Sequence, residues 1–204
     1  MRTTVTSAIT KLAGVGAATA LIAFGLATAA PPVQSVEHID TSRWAGTWYE
    51  VARVPNSLQA RCLGDATTTY LPLPDGSLRV VQRCRDADNQ WFVSTARAVG
   101  VDGNPTGPRL KLSYLPAWLD WLPATRGDHW VVLLDDEYRY AVVSEPSRER
   151  LWILSRTPEL DSITYDQILA RLRNARFPVD ELIPTPQLAQ RQPPALASRP
   201  RLMV

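Results

Sequence analysis

Two cysteines and two histidines are the only side chains of their kinds in this 204-residue chain, and their placement argues against an enzyme. His38 stands far ahead of His129, and neither has the His and Cys neighbours that a metal site needs at close spacing. No serine sits in a Gly-x-Ser-x-Gly turn of the kind that exposes a nucleophile. The sequence therefore predicts no catalytic residue, no metal and no cofactor. Cys62 and Cys84 are left to react with one another, which in an exported protein means a disulfide. Such a bridge would close about 22 residues and contribute roughly 3 kcal/mol by constraining the unfolded chain.

Export is itself read from residues 1–29. Arg2 and Lys11 precede an apolar run from Leu12 to Leu26, and Ala27-Thr28-Ala29 follows with the small side chains of a cleavage site. This order is that of a secretory signal cut after Ala29, a cut after Ala30 being the alternative. An uncleaved membrane anchor is the competing reading, weakened by the many Ala, Gly and Thr in the run. No cysteine follows the run to carry a lipid, so the protein is expected in the periplasm, in the cell envelope or secreted. The segment holds two of the 22 basic residues and none of the 20 acidic ones, so the formal charge of +2 falls to zero without it. A nucleic-acid partner is not expected from such a balance.

The elements that would carry a binding site are strands. Pro74-Asp75-Gly76, Asp86-Ala87-Asp88-Asn89, Asp102-Gly103-Asn104-Pro105 and Asp135-Asp136-Glu137 break the chain into short apolar or alternating runs. These runs fall at 47–54, 63–71, 77–84, 91–99, 109–114, 129–135, 139–144 and 150–155, an antiparallel meander with enough strands to close a barrel around one small ligand. One helix is predicted after them, capped by Asp161 or Ser162, carrying Ile163, Ile168, Leu169 and Leu172, and ending before Phe177-Pro178. Simple pairing about Asp75-Gly76 sets Cys84 opposite Ala66, so the chain before the second strand must fold back for Cys62 to reach it. The region 30–184 is read as one domain and 185–204, rich in Pro, Gln, Ala and Arg, as a disordered tail. Tyr114 to Pro123 is too apolar for an ordinary loop. Trp118 and Trp121 there either pack over the barrel or meet a membrane.

Trp44-Ala45-Gly46-Thr47-Trp48-Tyr49-Glu50-Val51-Ala52-Arg53-Val54-Pro55-Asn56 and Leu151-Trp152-Ile153-Leu154-Ser155-Arg156-Thr157-Pro158 together resemble the first and last strands of a lipocalin. Ala66-Thr67-Thr68-Thr69-Tyr70 and Leu134-Asp135-Asp136-Glu137-Tyr138-Arg139-Tyr140-Ala141-Val142-Val143 are similar to the bacterial outer-membrane lipocalin and apolipoprotein D branch. The likeness spans about residues 36–184. It departs from that branch in the missing anchor cysteine, the apolar loop and the Asp136-to-Tyr140 form. It implies an all-β, eight-stranded antiparallel up-and-down barrel with one C-terminal α-helix packed outside. Trp48 would close the bottom, covered by Arg156 through a cation–π contact. Relatives with cysteines at corresponding places support the Cys62–Cys84 pair.

Alternation from Trp48, matched to the family pattern, turns a set of side chains inward. These are Glu50, Ala52, Ala66, Thr68, Tyr70, Val80, Gln82, Leu112, Tyr114, His129, Val131, Leu133, Val143, Glu145, Arg150, Trp152 and Leu154. A mostly apolar wall with a few polar groups suits a lipophilic guest, a fatty acid or lysophospholipid, held for transport or sequestration. Two other classes stay open: an enzyme acting on a lipid or prenoid inside the barrel, and a structural envelope protein whose barrel is filled.

Overall fold

The computed structural model describes residues 30–101, 104, 106–115 and 126–188. The expected signal segment and the Trp118–Trp121 stretch lie outside these. Eight strands follow in chain order: β1 Gly46–Arg53, β2 Gly64–Pro72, β3 Leu78–Arg85, β4 Trp91–Gly100, β5 Arg109–Ser113, β6 Arg126–Leu134, β7 Tyr140–Ser144 and β8 Leu151–Ser155. Each pairs antiparallel with the next, and β1 pairs with both β8 and β2, so the sheet closes on itself. The turn residues do what their chemistry dictates. Gly76 takes a φ of +79°, and the Asp75 carboxylate accepts from the Ser77 N–H at 2.9 Å to hold the β2–β3 hairpin.

A single helical turn, α1 (Thr41–Trp44), precedes β1, and α2 (Ser162–Asn174) follows β8. The Asp161 side chain caps α2 by accepting from Thr164 N, and Arg176 at φ +62° ends it. Ile168 and Leu172 bury against Val142, Leu151 and Ile153 on the outside of the barrel. Every residue of β7 and β8 is therefore buried, one face in the barrel and the other under α2. Ile163, counted among the apolar positions of this helix, is 70% exposed and takes no part.

Three β-bulges break the alternation that the inward set relied on. A bulge adds one residue to a strand and sends the following side chains to the opposite face. In β1 the register slips between Glu50 and Ala52, so Ala52 faces the α2 side and Arg53 turns inward instead. In β6 it slips between Val131 and Leu133, so Leu133 packs outside with Val132 while Leu134 joins the interior. In β2 it slips between Gly64 and Thr67, beside the disulfide. That bridge forms as expected, with Cα atoms 5.5 Å apart, because a 3-10 turn at Ser57–Gln59 folds the chain back and Cys62 N bonds Gln59 O.

The expected tail begins too early. Ile183–Pro184 forms a short ninth strand, β9, on Ala52 and Arg53 of β1. Beyond Tyr49, β1 parts from β2, and residues 185–187 fill the gap. Thr185 N donates to Val51 O, Asp65 N donates to Pro186 O, and the Gln187 amide donates to both Glu50 O and Ala66 O. Gly64 is required here, since a Cβ would come within 2.8 Å of the Pro186 carbonyl. Proline and glutamine made this stretch look disordered, yet Thr185 and Gln187 are buried in the wall.

Candidate ligand-binding site

The closed end is built from the start of β1. The Arg156 guanidinium lies 3.9 Å from the centre of the Trp48 ring, and the indole N–H donates to Trp44 O at 2.9 Å. Arg156 also donates to Thr47 O at 3.0 Å, Trp44 O at 3.1 Å and Ala45 O at 3.0 Å, and to Arg43 O. One side chain thus ties β8 to four carbonyls of the α1–β1 junction. Gly46, at φ +95°, lets the chain turn beneath it.

Above this floor runs a column of aromatic rings. Trp48 and Trp44 have centroids 4.8 Å apart, Trp44 and Tyr70 4.9 Å, Tyr70 and His129 5.8 Å, and His129 and Trp152 6.3 Å. Tyr70 Oη and His129 Nε2 share a 2.7 Å hydrogen bond. Burial pushes the His129 imidazole down to about 4 and the Tyr70 phenol upward, so both stay neutral near pH 7. Val80, Leu112, Val131, Val143 and Leu154 bury around the column. The lower barrel is solid.

Space opens nearer the mouth. A narrow cleft with about 20 Å³ of room, little more than a water needs, lies between Gln59, Thr68, Gln82, Cys84, Phe92 and Ser94, with Leu58 and Arg83 also lining it. Ligand sites are about 300 to 1,000 Å³, so a guest enters here only as the side chains around the cleft move apart. Of the inward set, Thr68 and Gln82 line this cleft. Tyr114, 40% exposed, donates to Gln82 Oε1 at 2.9 Å from the rim. Glu145 and Arg150 form a 2.9 Å ion pair in the β7–β8 turn at the same end.

Glu50 is inside as expected but is not free. Its carboxylate accepts from Arg53 Nη1 at 2.8 Å, Thr185 Oγ1 at 2.6 Å and Gln59 Nε2 at 2.6 Å. Gln59 Oε1 in turn accepts from Trp152 Nε1 at 2.6 Å. A buried ion pair survives only when its remaining lone pairs and protons are satisfied, and here Arg53 also donates to Cys62 O at 2.7 Å. Arg53, Gln59, Thr185 and Gln187 were not legible as site residues. Arg53 is turned inward by a bulge, Gln59 lies on a turn, and the last two stand in a stretch without periodicity.

A lipocalin-like domain model matches residues 39–187. The chain belongs to the lipocalin-like family. It is 34% identical over 172 residues to the outer membrane lipoprotein Blc of Citrobacter freundii, covering 84% of this chain and 93% of that protein. Temperature-induced lipocalin-1 of Arabidopsis thaliana is 32% identical over 156 residues, 76% of this chain and 83% of the relative. Apolipoprotein D of Bos taurus is 27% identical over 166 residues, covering 78% and 81%. Among solved structures, the cockroach allergen Per a 4 shares the fold with a TM-score of 0.56 at 19% identity, over 76% of this chain and 92% of the allergen. The matched segment ends at Gln187, where the wall of the barrel ends.

Proposed function

We propose that this lipocalin binds a fatty acid or a lysophospholipid, with the chain-end methylenes in the cleft and the polar head at the rim. Lipocalins bind small hydrophobic ligands, and the finer assignment rests on how this barrel distributes its side chains. Val80, Leu112, Val131, Val143, Trp152 and Leu154 make up the buried apolar interior next to which a guest would sit, together with Tyr70 and His129. Thr68, Gln82 and Tyr114 gather at the open end, where Arg150 adds a positive charge. The observation that carries the reading is this gradient from a solid aromatic floor to a polar mouth. Burial at about 25 cal/mol per Å² makes even a short run of methylenes worth several kcal/mol.

The aromatic column also sets a limit, because a guest occupies the upper barrel alone. Titration with a fluorescent fatty acid tests this, and native mass spectrometry of protein purified from its own host identifies what it carries. Trp152→Ala hollows the interior beside the cleft and should change affinity about tenfold or more, whereas Arg156→Ala at the closed end should leave it within about twofold. Saturable binding that ignores Trp152→Ala would place the guest elsewhere.

Residues 1–29 act in this reading as an export signal. The disulfide suits an oxidising compartment, and the enteric relatives bear the name outer membrane lipoprotein. With no cysteine outside the bridge, the protein would work in the envelope without a lipid anchor. Trp118 and Trp121 would touch membrane during ligand pickup, joining β5 to β6 at the end of the barrel away from Trp48.

A further inference from the structure

The outer face of β2, β3 and β4 lies away from α2, and no described element packs on it. Its composition is unusual for a barrel wall. Leu71, Trp91 and Val93 are 41%, 39% and 54% exposed on the strands, and Leu58 and Leu63 are 48% and 59% exposed at their open end. Arginines alternate with them. Arg79 stands opposite Leu71 and Arg97, Arg83 opposite Val93, and Arg85 opposite Trp91. Two of these guanidiniums share one indole: Arg83 and Arg85 lie 3.7 and 3.8 Å from the Trp91 ring. Leu63 N bonds Arg85 O, which joins Leu63 to the patch, and Arg61 stacks at 4.6 Å on Phe92, which faces the cleft on the other side of β4.

The carboxylates that touch this face balance it in part. Asp75 holds Arg97 at 2.7 Å, Asp86 stands 3.6 Å from Arg61 and Asp65 4.0 Å from Arg85. Arg83 is held by the indole instead, and Arg79 projects from the strand beside exposed Leu71. Guanidiniums on an indole, flanked by exposed aliphatic side chains, match a lipid surface layer by layer. The cations meet phosphate, the indole sits at headgroup level, and Leu or Val reaches the acyl boundary.

We propose that this face docks the protein on an anionic phospholipid bilayer. Charge complementarity supports that occupant, and so does continuity with the cleft, which Leu58 and Arg83 of the same patch also line. The docking does not depend on the identity of the barrel's guest.

Co-sedimentation of the whole chain with vesicles provides the test. The protein should bind phosphatidylcholine–phosphatidylglycerol vesicles, release them at high salt and ignore pure phosphatidylcholine. Arg79→Gln with Arg85→Gln should weaken binding roughly thirty-fold, the worth of two cations near an anionic leaflet. Arg171→Gln with Arg173→Gln removes the same charge from α2 and should leave binding unchanged. Circular dichroism checks that the variants fold, and fluorescent fatty-acid titration of the Arg79/Arg85 variant should match the parent, keeping failure of the docking face separate from failure of the barrel site. Indifference to the mixed vesicles, or equal losses from both arginine pairs, would overturn the proposal. So would loss on Trp118→Ala with Trp121→Ala but none on the Arg79/Arg85 change. A dimer in sedimentation equilibrium that the Arg79/Arg85 variant dissolves, without vesicle binding by the parent, would assign the face to a second copy of the chain.

Discussion

Replacing Arg156 by alanine probes the closed end of the barrel most directly. The substitution removes the cation from the Trp48 face and the donors from the carbonyls of Arg43, Trp44, Ala45 and Thr47. A hydrogen bond from a charged group contributes about 1.5 to 3 kcal/mol in net terms, and the cation–π contact about 1. Arg156 is only half-buried, so water replaces part of what the carbonyls lose and the contributions do not sum in full. The expected cost is about 2 to 3 kcal/mol. For a domain of this size that lowers the melting temperature by roughly 5 to 10 °C. Arg156→Lys should recover little, because an ammonium cannot lie flat on the ring while reaching several carbonyls. Thermal unfolding followed by circular dichroism reads the loss. An alanine variant melting within about 2 °C of the parent would refute the role of Arg156 in closing the barrel.

The other expectations concern the wall, the bridge and the buried histidine. Gln187→Ala leaves the carbonyls of Glu50 and Ala66 without their shared donor and should cost about 2 to 3 kcal/mol in denaturant unfolding, while Leu188→Ala, at an exposed neighbour, should cost almost nothing. Cys62→Ser with Cys84→Ser should lose about 3 kcal/mol, a difference from the parent that vanishes when the parent is measured with reductant. His129 stays neutral in the folded barrel down to about pH 4, whereas the unfolded chain takes up a proton near pH 6.5. Its contribution is therefore complete above pH 6.5 and is lost as the pH falls from 6.5 to 4, by about 3 kcal/mol. His129→Gln, which cannot titrate, should flatten stability across that window, and an unchanged slope would show that another group governs it.

How far residues announced their positions depended on whether the strand carrying them was regular. Trp48, Tyr70, Val80, Val143 and Trp152 lie on uninterrupted stretches of alternation, and all are buried in the interior as parity requires. Leu133 lies one residue past a bulge, and that single insertion moves it beneath α2. Periodicity cannot register such an insertion, because Val-Val-Leu-Leu reads equally well in either phase. Ala52 fails for the same reason in β1. The disulfide was legible only as a pairing. How the two sulfurs meet depends on the 3-10 turn at Ser57–Gln59, a local fold-back that no apolar pattern marks.

The bulge in β1 does more than spoil a parity argument. By turning Arg53 inward it gives Glu50 a partner, and the pair then needs further donors and acceptors at a point where β1 has already left β2. Thr185 bonds both members of that pair, and Gln187 bridges the two strands that have separated. A regular β1 would keep Arg53 outside, leaving Glu50 buried and uncompensated, a cost of several kcal/mol. The ion pair, the divergence of the strands and the inserted segment 185–187 are thus one arrangement. It also reaches the candidate site, because Gln59, which lines the cleft, links Glu50 to the indole of Trp152. The position of Trp152 is tied by hydrogen bonds through Gln59 and Glu50 to the last residues of the barrel wall, so the chain beyond α2 helps to fix the interior beside the cleft.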